Sequence, residues 1–353
     1  TSDNKKNAVI LYVLSGISAV MAFGTKENAV MLPASLAVYD LLLIQGLTKD
    51  NLKKSLIIIA VAGLFIILIG IAYNKSLTAI LSYDNRSFTM LERLYTQPRV
   101  LLFYISLLLY PITSRLMLVH DFEISKSLFQ PWTTGVAILS IIAIVFFALW
   151  RSRKSPLISF CILFFFMNHF IEGSFISLEL VYEHRNYLPS MLFFVPIAIF
   201  IINLMNSFIN RKWLLAILSL AITCLITIEG ITVYLQNNIM NDEITMWSDN
   251  AEKAPNVYHV RQNHAMALFN AGRLQESFDE AKNAIASRTT GDMRQKHLSY
   301  LLIGDYYLIR YHDVQKALEH YKKALEIISS HALTYNCIGR ILMEKDSLAE
   351  AEN

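Results

Sequence analysis

Residues 55–73 read SLIIIAVAGLFIILIGIAY and residues 132–150 read WTTGVAILSIIAIVFFALW, nineteen positions each without a charge. About 20 apolar residues wound as a helix cross the roughly 30 Å hydrocarbon layer of a bilayer. Six further stretches approach that standard, at 7–25, 28–46, 99–118, 155–172, 187–206 and 213–235. A backbone in lipid must satisfy its own hydrogen bonds, so such stretches become helices. The expected fold class is therefore all-α: a multi-spanning transmembrane bundle of about eight helices, with something else after it. Three of the stretches carry polar residues: Pro33 and Asp40 in the second, Pro111 and Arg115 in the fourth, and Asn168-His169 with Glu172 closing the sixth. These three suit helices that face a protein interior or cavity rather than lipid.

Charge divides the chain. Residues 1–240 hold 18 basic and 12 acidic side chains, and residues 241–353 hold 13 and 16 in less than half the length. The first part has the composition of a membrane domain and the second that of a soluble one. Only 17% of the 353 residues are charged, against roughly a quarter in ordinary soluble domains. A net charge of +3 with no basic, aromatic-interleaved stripe argues against a nucleic-acid partner. Counting lysines and arginines by side gives eight with the tail and ten opposite, with clusters at 151–154 and 211–212 on the opposite side. The positive-inside rule then puts the tail outside the cytoplasm. The chain starts at Thr1 and ends at Asn353 within a helical repeat, which suggests a C-terminal fragment of a longer membrane protein.

The tail repeats. AGRLQES, HDVQKA and KDSLAEA occupy equivalent places, each closing a helix-turn-helix. Small residues that let paired helices approach fall at Ser277 with Ala284, Ala317 with Ala324, and Ala351. Ala317 to Ala351 is 34 residues, the period of tetratricopeptide solenoids. Ser277 to Ala317 is 40, so six extra residues near 289–294 lengthen one connection. Tyr306, Leu308, Tyr321 and Leu325 fall where helix–helix contacts belong. Such arrays need about three or more repeats and commonly bind extended peptides in a groove; the alternative is an array that only packs on its own membrane domain.

Ionisable residues at membrane helices are costly and therefore candidates for function. Lys26 and Glu27, with Asp40 thirteen residues on, can bind an anionic head group or form a solvated interhelical turn. Arg93 and Arg99 stand among aromatics in MLERLYTQPRVLLFY, where guanidinium forks suit phosphate oxygens and interfacial anchoring is the plainer reading. Arg115 is followed by His120, Asp121 and Glu123, and the D-x-E pair can hold a divalent cation or simply be a solvated loop. The densest group is SLELVYEHRNYLPSM, with Glu179, Glu183, His184, Arg185 and Tyr187 before the seventh apolar stretch. Arg185 can clamp a lipid-linked phosphate there, and Glu183 or His184 can accept a proton or orient a neighbour.

Other motifs are missing. The sequence has no nucleotide-binding glycine loop, no HExxH and no GxSxG, and its nine histidines lack zinc-ligand spacing. Cys161, Cys224 and Cys337 form no CxxC pair and read as apolar filler. The sequons at Asn74 and Asn85 are short matches of little weight.

The blocks GTKENAVMLPASLAVYDLLL, ERLYTQPRVLLFYISLLLYPITSRLMLVHDFEIS, LELVYEHRNYLPSM and MWSDNAEKAPN carry a resemblance that runs from about residue 20 onward. The sequence resembles the GT-C-type membrane glycosyltransferases with tetratricopeptide repeats, related to the transmembrane-and-tetratricopeptide O-mannosyltransferases and their bacterial homologues. The resemblance implies transfer of a sugar from a polyprenyl-phosphate carrier to a protein acceptor, outside the cytoplasm, in a bacterial inner membrane or the endoplasmic reticulum. The repeats would recruit the acceptor. The family's catalytic carboxylates lie in a first extracytoplasmic loop that has no counterpart here, so they map onto no residue of this chain. What the resemblance assigns to the donor cavity is Lys26, Glu27, Asp40, Arg93, Arg99, Arg115, Asp121 and the Glu183-His184-Arg185 block, with Arg185 as the phosphate contact. No cofactor is implied beyond a divalent metal ion in some such enzymes. Two alternatives stand beside this reading: a polymerase or ligase of lipid-linked glycans, and a non-enzymatic membrane-anchored scaffold that works through its repeats.

Overall fold

A computed structural model describes residues 2–25, 27–73, 82–84, 86–287 and 295–344. Among the described residues every regular element is helical. Two compact units are present, and they do not follow chain order. The first takes Thr1–Ser82, Met90–Leu108 and Ser125–Thr223; the second takes Tyr83–Thr89, Leu109–Ile124 and Cys224–Asn353.

The first unit opens with α1 (Ser2–Thr25) and a 3₁₀ turn, Glu27–Met31. Helix α2 (Leu32–Tyr39) follows and widens into a π-helical turn, Asp40–Gln45, that Gly46 ends at φ +78°. Helix α3 (Lys49–Tyr73) is next, and α4 (Met90–Leu109) lies beyond it in sequence. Then come α5 (Thr133–Arg151), α6 (Pro156–Asn168), two short 3₁₀ turns (Glu183–Asn186 and Pro189–Leu192), α7 (Phe194–Ser207) and the long α8 (Lys212–Met240), which belongs to the first unit up to Thr223 and to the second from Cys224. Among the described residues, four segments are long and apolar enough to cross a membrane: Asn28–Gln45, Thr133–Arg151, Pro189–Ser207 and Lys212–Met240. Their apolar side chains stand largely exposed, as Leu139, Phe146, Phe200 and Leu220 do, which is what lipid contact requires and water opposes.

The first and third stretches lie within the long helices α1 and α3, while the fourth and sixth differ from the sequence expectation. The fourth, 99–118, is not one helix. It begins inside α4 and continues past Leu109 as a loop with a 3₁₀ turn at Thr113–Arg115. Pro111 explains the stop, since it lacks an N–H and biases the residue before it away from helix. The sixth yields only the 13-residue α6. Residues 74–81, 85, 288–294 and 345–353 lie outside the described residues, and with them Asn74, Asn85, the six-residue insertion and Ala351.

The core of the first unit packs Leu42, Phe160 and Phe164 against Val38, Leu163 and Leu188. Helix α4 is different: its buried stripe is mostly polar, made of Arg93, Thr96, Gln97, Val100, Tyr104 and Leu107. The spacing is that of one helical face.

In the second unit α9 (Glu243–Lys253), α10 (Tyr258–Asn270), α11 (Leu274–Ala286), α12 (Lys296–Tyr311), α13 (Val314–Ile327) and α14 (Ala332–Glu344) pack each on its sequence neighbour. Asp242 and Asp313 cap α9 and α13 by accepting from the N–H groups of Thr245 and Lys316 at 2.8 and 3.0 Å. The small residues Ser277, Ala284, Ala317 and Ala324 are all buried. Ala265, Ala281, Leu302 and Ile303 form one core cluster, and Leu301, Ala317, Tyr321, Cys337 and Ile341 form the next. Residues 109–124 join this unit through α9. Lys253 Nζ donates to the carbonyls of Thr113 and Leu116 at 2.7 and 3.0 Å, and Asn250 Oδ1 accepts from Leu118 N at 2.7 Å.

Two predictions follow from the packing of α12 on α13. A Cβ at Gly304 would sit 2.4 Å from Tyr321 Cε1 and 3.2 Å from the Ala317 carbonyl. Gly304→Ala therefore destabilises this pair by about 1–3 kcal/mol, as overpacking does, read as faster hydrogen exchange in α12 and α13. His320 stacks on Tyr307 at 5.6 Å and on Tyr300 at 6.3 Å, and its Nδ1 is buried without a hydrogen-bond partner among the described residues. Burial, with Lys323 nearby, holds the imidazole below its ordinary value, while Glu319 pulls the other way. The unfolded chain then binds this proton more readily than the folded one, so stability falls as pH drops below about 6.5. His320→Phe removes that share of the pH dependence, measured by thermal unfolding at pH 7.5 and 5.5.

Candidate functional site

The chain between α6 and the 3₁₀ turn at Glu183–Asn186 has no helix to satisfy its carbonyl groups, although it belongs to an apolar unit. Helix α4 supplies the donors. Arg93, fully buried, donates through Nε to the Ser174 carbonyl at 3.0 Å and through Nη1 to that of Glu179 at 3.2 Å. Its Nη1 and Nη2 also reach the carbonyls of Leu178 and Glu172. One turn on, Gln97 Nε2 donates to Leu180 O at 3.2 Å. Two turns further, the Tyr104 hydroxyl donates to Tyr182 O at 3.0 Å and accepts from Tyr182 N at 2.8 Å. The polar stripe of α4 is thus a row of donors matched to one irregular strand of backbone.

That arrangement brings Glu172 and Arg185 together. Arg185 Nε lies 3.4 Å from Glu172 Oε2, its Nη1 donates to Glu179 O at 2.5 Å, and its guanidinium carbon stands 4.8 Å from the Tyr182 ring centre. Asn28 Nδ2 donates to the other oxygen of the same carboxylate. All three side chains are buried. Next to them Asn168 Nδ2 donates to Ser35 Oγ at 3.2 Å, and the His169 and Asn186 side chains meet at 3.2 Å.

Arg185 and Asn28 form part of the wall of a cavity of about 830 Å³. Its remaining wall is mainly apolar, with Leu32 and Leu36 from α2, Phe160 and Phe164 from α6, and Leu188 and Met191 from the turn after the EHRNY block. His184 and Tyr187 also line it, and Tyr187, 87% exposed, marks a side open to the outside. The size is that of a small-molecule site, and the lining is apolar with a few convergent polar groups. An amphiphile with an anionic head fits this chemistry: Arg185 for the charge and the leucine and phenylalanine wall for the tail.

The candidates from sequence separate accordingly. Three of them, His184, Arg185 and Tyr187, meet at the cavity. Glu183 lies in the same 3₁₀ turn but is not part of the lining. Arg93 is a buried clamp on backbone carbonyls, not an interfacial anchor. Arg99 Nη1 donates to Ser125 Oγ at 3.1 Å, within a small network that includes Thr96 and Thr134. Asp40 accepts from Gln45 across the π-helical turn. Glu27 belongs to the 3₁₀ turn that carries Asn28, and Lys26 lies outside the described residues. Arg115 and Asp121 belong to the second unit, where Arg115 donates to Tyr110 O at 3.0 Å and Asp121 is exposed. The described residues bring no three of His, Cys, Asp and Glu into a metal-binding group, so no step is assigned to a divalent cation. Sequence reasoning missed Asn28, a neutral residue inside an apolar stretch. It noticed Glu172 only as the polar end of the sixth stretch.

Arg93→Met removes the donor from four carbonyl groups at once and costs about 3 kcal/mol or more, since hydrogen bonds from a charged group are the strong ones. Gln97→Leu removes one neutral bond and costs about 1 kcal/mol. Thermal unfolding in detergent, both variants beside the wild type, checks the order. Comparison with protein-family models, with curated proteins and with solved structures found no match to this chain.

Proposed function

We propose that this chain belongs to an integral membrane glycosyltransferase of GT-C type that moves a sugar from a polyprenyl-phosphate carrier to a protein acceptor on the extracytoplasmic side. The observation that carries the reading is the buried Arg185 in the wall of a largely apolar cavity of about 830 Å³. Departure of a polyprenyl phosphate develops negative charge on oxygen, and a fixed guanidinium in a water-poor site stabilises it. The apolar wall gives the first isoprene units somewhere to lie. The proton acceptor for the attacking hydroxyl is assigned to no residue of this chain.

The proposal includes eight membrane crossings: the four long apolar segments already described, together with α1, α3, α4 and α6. It also includes the identity of the second unit. The burial of Ser277, Ala284, Ala317 and Ala324 between successive helices supports tetratricopeptide packing there. In this reading the array recruits the protein acceptor on the same side as the donor cavity, in a bacterial inner membrane or the endoplasmic reticulum.

The test is sugar transfer by the full-length protein in membranes, offered a panel of radiolabelled polyprenyl-phosphate sugars, with Arg185→Ala beside the wild type. Transfer to protein that drops about 100-fold or more in the variant supports the reading, a loss of the size seen when one charge-stabilising donor is removed. Transfer that survives keeps the enzyme and removes Arg185 from its cavity. No transfer from any donor, with protein partners still bound by the repeats, leaves the membrane-anchored scaffold as the function.

A further inference from the structure

Helix α6 divides two cavities. Phe160 and Phe164 line the large one already described. Cys161 and Phe165, the next residue in each case and so turned about 100° round the helix, line a second cavity of about 200 Å³. Ile105 of α4, Ile144 of α5 and Ile197 of α7 complete its wall. Cys161 and Phe165 are buried and form the floor, while the three isoleucines are half-buried and form the rim. Among the described residues the wall offers no hydroxyl, amide or charged group. Water needs two to four polar partners, so apolar cavities of this order stay dry and take small hydrocarbons instead. Left empty, the walls forfeit their dispersion contacts. The space is too small for a whole drug-sized molecule, and nothing in it can hold a head group. The end of a hydrocarbon chain meets all of these conditions.

Depth says where that chain comes from. Ile144 stands eleven residues after Thr133 and seven before Arg151, and Ile197 stands eight after Pro189 and ten before Ser207. Both are near the middle of segments long and apolar enough to cross a membrane. At about 1.5 Å per residue they lie roughly 10–17 Å from either end, near the midplane of a hydrocarbon layer about 30 Å thick. Acyl chains end there. Ile142 and Phe200, two and three residues along the same helices, are exposed as lipid-facing side chains are. A polyprenyl tail lying in the large cavity is separated from this one by α6. We infer that the small cavity is a binding site for the end of one acyl chain of a bilayer phospholipid, seated at mid-membrane between α5 and α7. The inference rests on the reading of α5 and α7 as membrane crossings and not on the sugar-transfer chemistry.

The experiment places the full-length protein in phosphatidylcholine nanodiscs doped with one of two photoreactive phosphatidylcholines, carrying a diazirine either at the terminal carbon of an acyl chain or close to its ester. Labelled residues are located by mass spectrometry after illumination. In the wild type the terminal probe labels residues 161–166 and the ester-proximal probe leaves them unlabelled. Ile197→Phe fills the rim and lowers that labelling about tenfold, the value of roughly two methylene groups of lost burial, while labelling of the lipid-facing Phe146 and Leu220 is unchanged. The comparison of the two probes on the wild type stands whether or not the variant folds. Equal labelling of 161–166 by both probes overturns the inference, as does labelling confined to the lipid-facing side chains or labelling indifferent to Ile197→Phe in a variant whose Phe146 and Leu220 still react. Loss of the label on adding polyprenyl phosphate assigns the cavity to an isoprenoid tail and overturns it too. If Phe146 and Phe200 take no label from either probe, the crossing of α5 and α7 fails first and the inference with it.

Discussion

The interaction on which the first unit depends is the hydrogen bonding of Arg93 to the carbonyl groups of Glu172, Ser174, Leu178 and Glu179. A chain segment without helix, set in an apolar unit, is tolerable only if another element supplies its hydrogen bonds. Helix α4 does so with one arginine, one glutamine and one tyrosine on a single face. Everything chemical in the unit hangs from that segment. Glu172 starts it, Arg185 follows it, and the pair meets because the backbone between them is held. A buried guanidinium without partners would be prohibitive, and one with several carbonyl oxygens around it is a rigid fixture.

The cavity is therefore built by two kinds of force acting on different parts of the chain. Its apolar wall comes from ordinary packing of α2, α6 and the turn at Pro189–Leu192 around Leu42, Phe160 and Phe164. Its polar corner comes from the Glu172 carboxylate and the donors it orients. In the second unit the physics is plainer. Small residues permit close helix pairs, aspartates cap two of the helices, and Lys253 and Asn250 fasten residues 109–124 to α9.

Much of the fold could be read from the sequence because its signals are local. The uncharged run at 132–150 lies within a few residues of helix α5 (Thr133–Arg151), and the small residues at Ser277, Ala284, Ala317 and Ala324 are buried as their spacing suggested. What failed was local as well but overridden: 99–118 has the hydropathy of a span, yet Pro111 ends the helix and the remainder joins the other unit. The candidate site was half legible. The density of charge in EHRNY pointed to Arg185. The role of Arg93 was not legible, since a guanidinium bound for main-chain carbonyls and one bound for phosphate look identical in sequence. Asn28 was invisible because its importance comes from Glu172, 144 residues away.

The clamp of α4 on the segment after α6 also decides where this protein can change over evolutionary time. Arg93, Gln97 and Tyr104 grip main-chain atoms, and main-chain atoms are the same whatever side chain they carry. The path of that segment is therefore written on α4 rather than on the segment itself. An exposed position such as Phe175 can drift in identity with little effect on the corner that holds Arg185, whereas the three gripping residues of α4 and the buried Leu180 cannot.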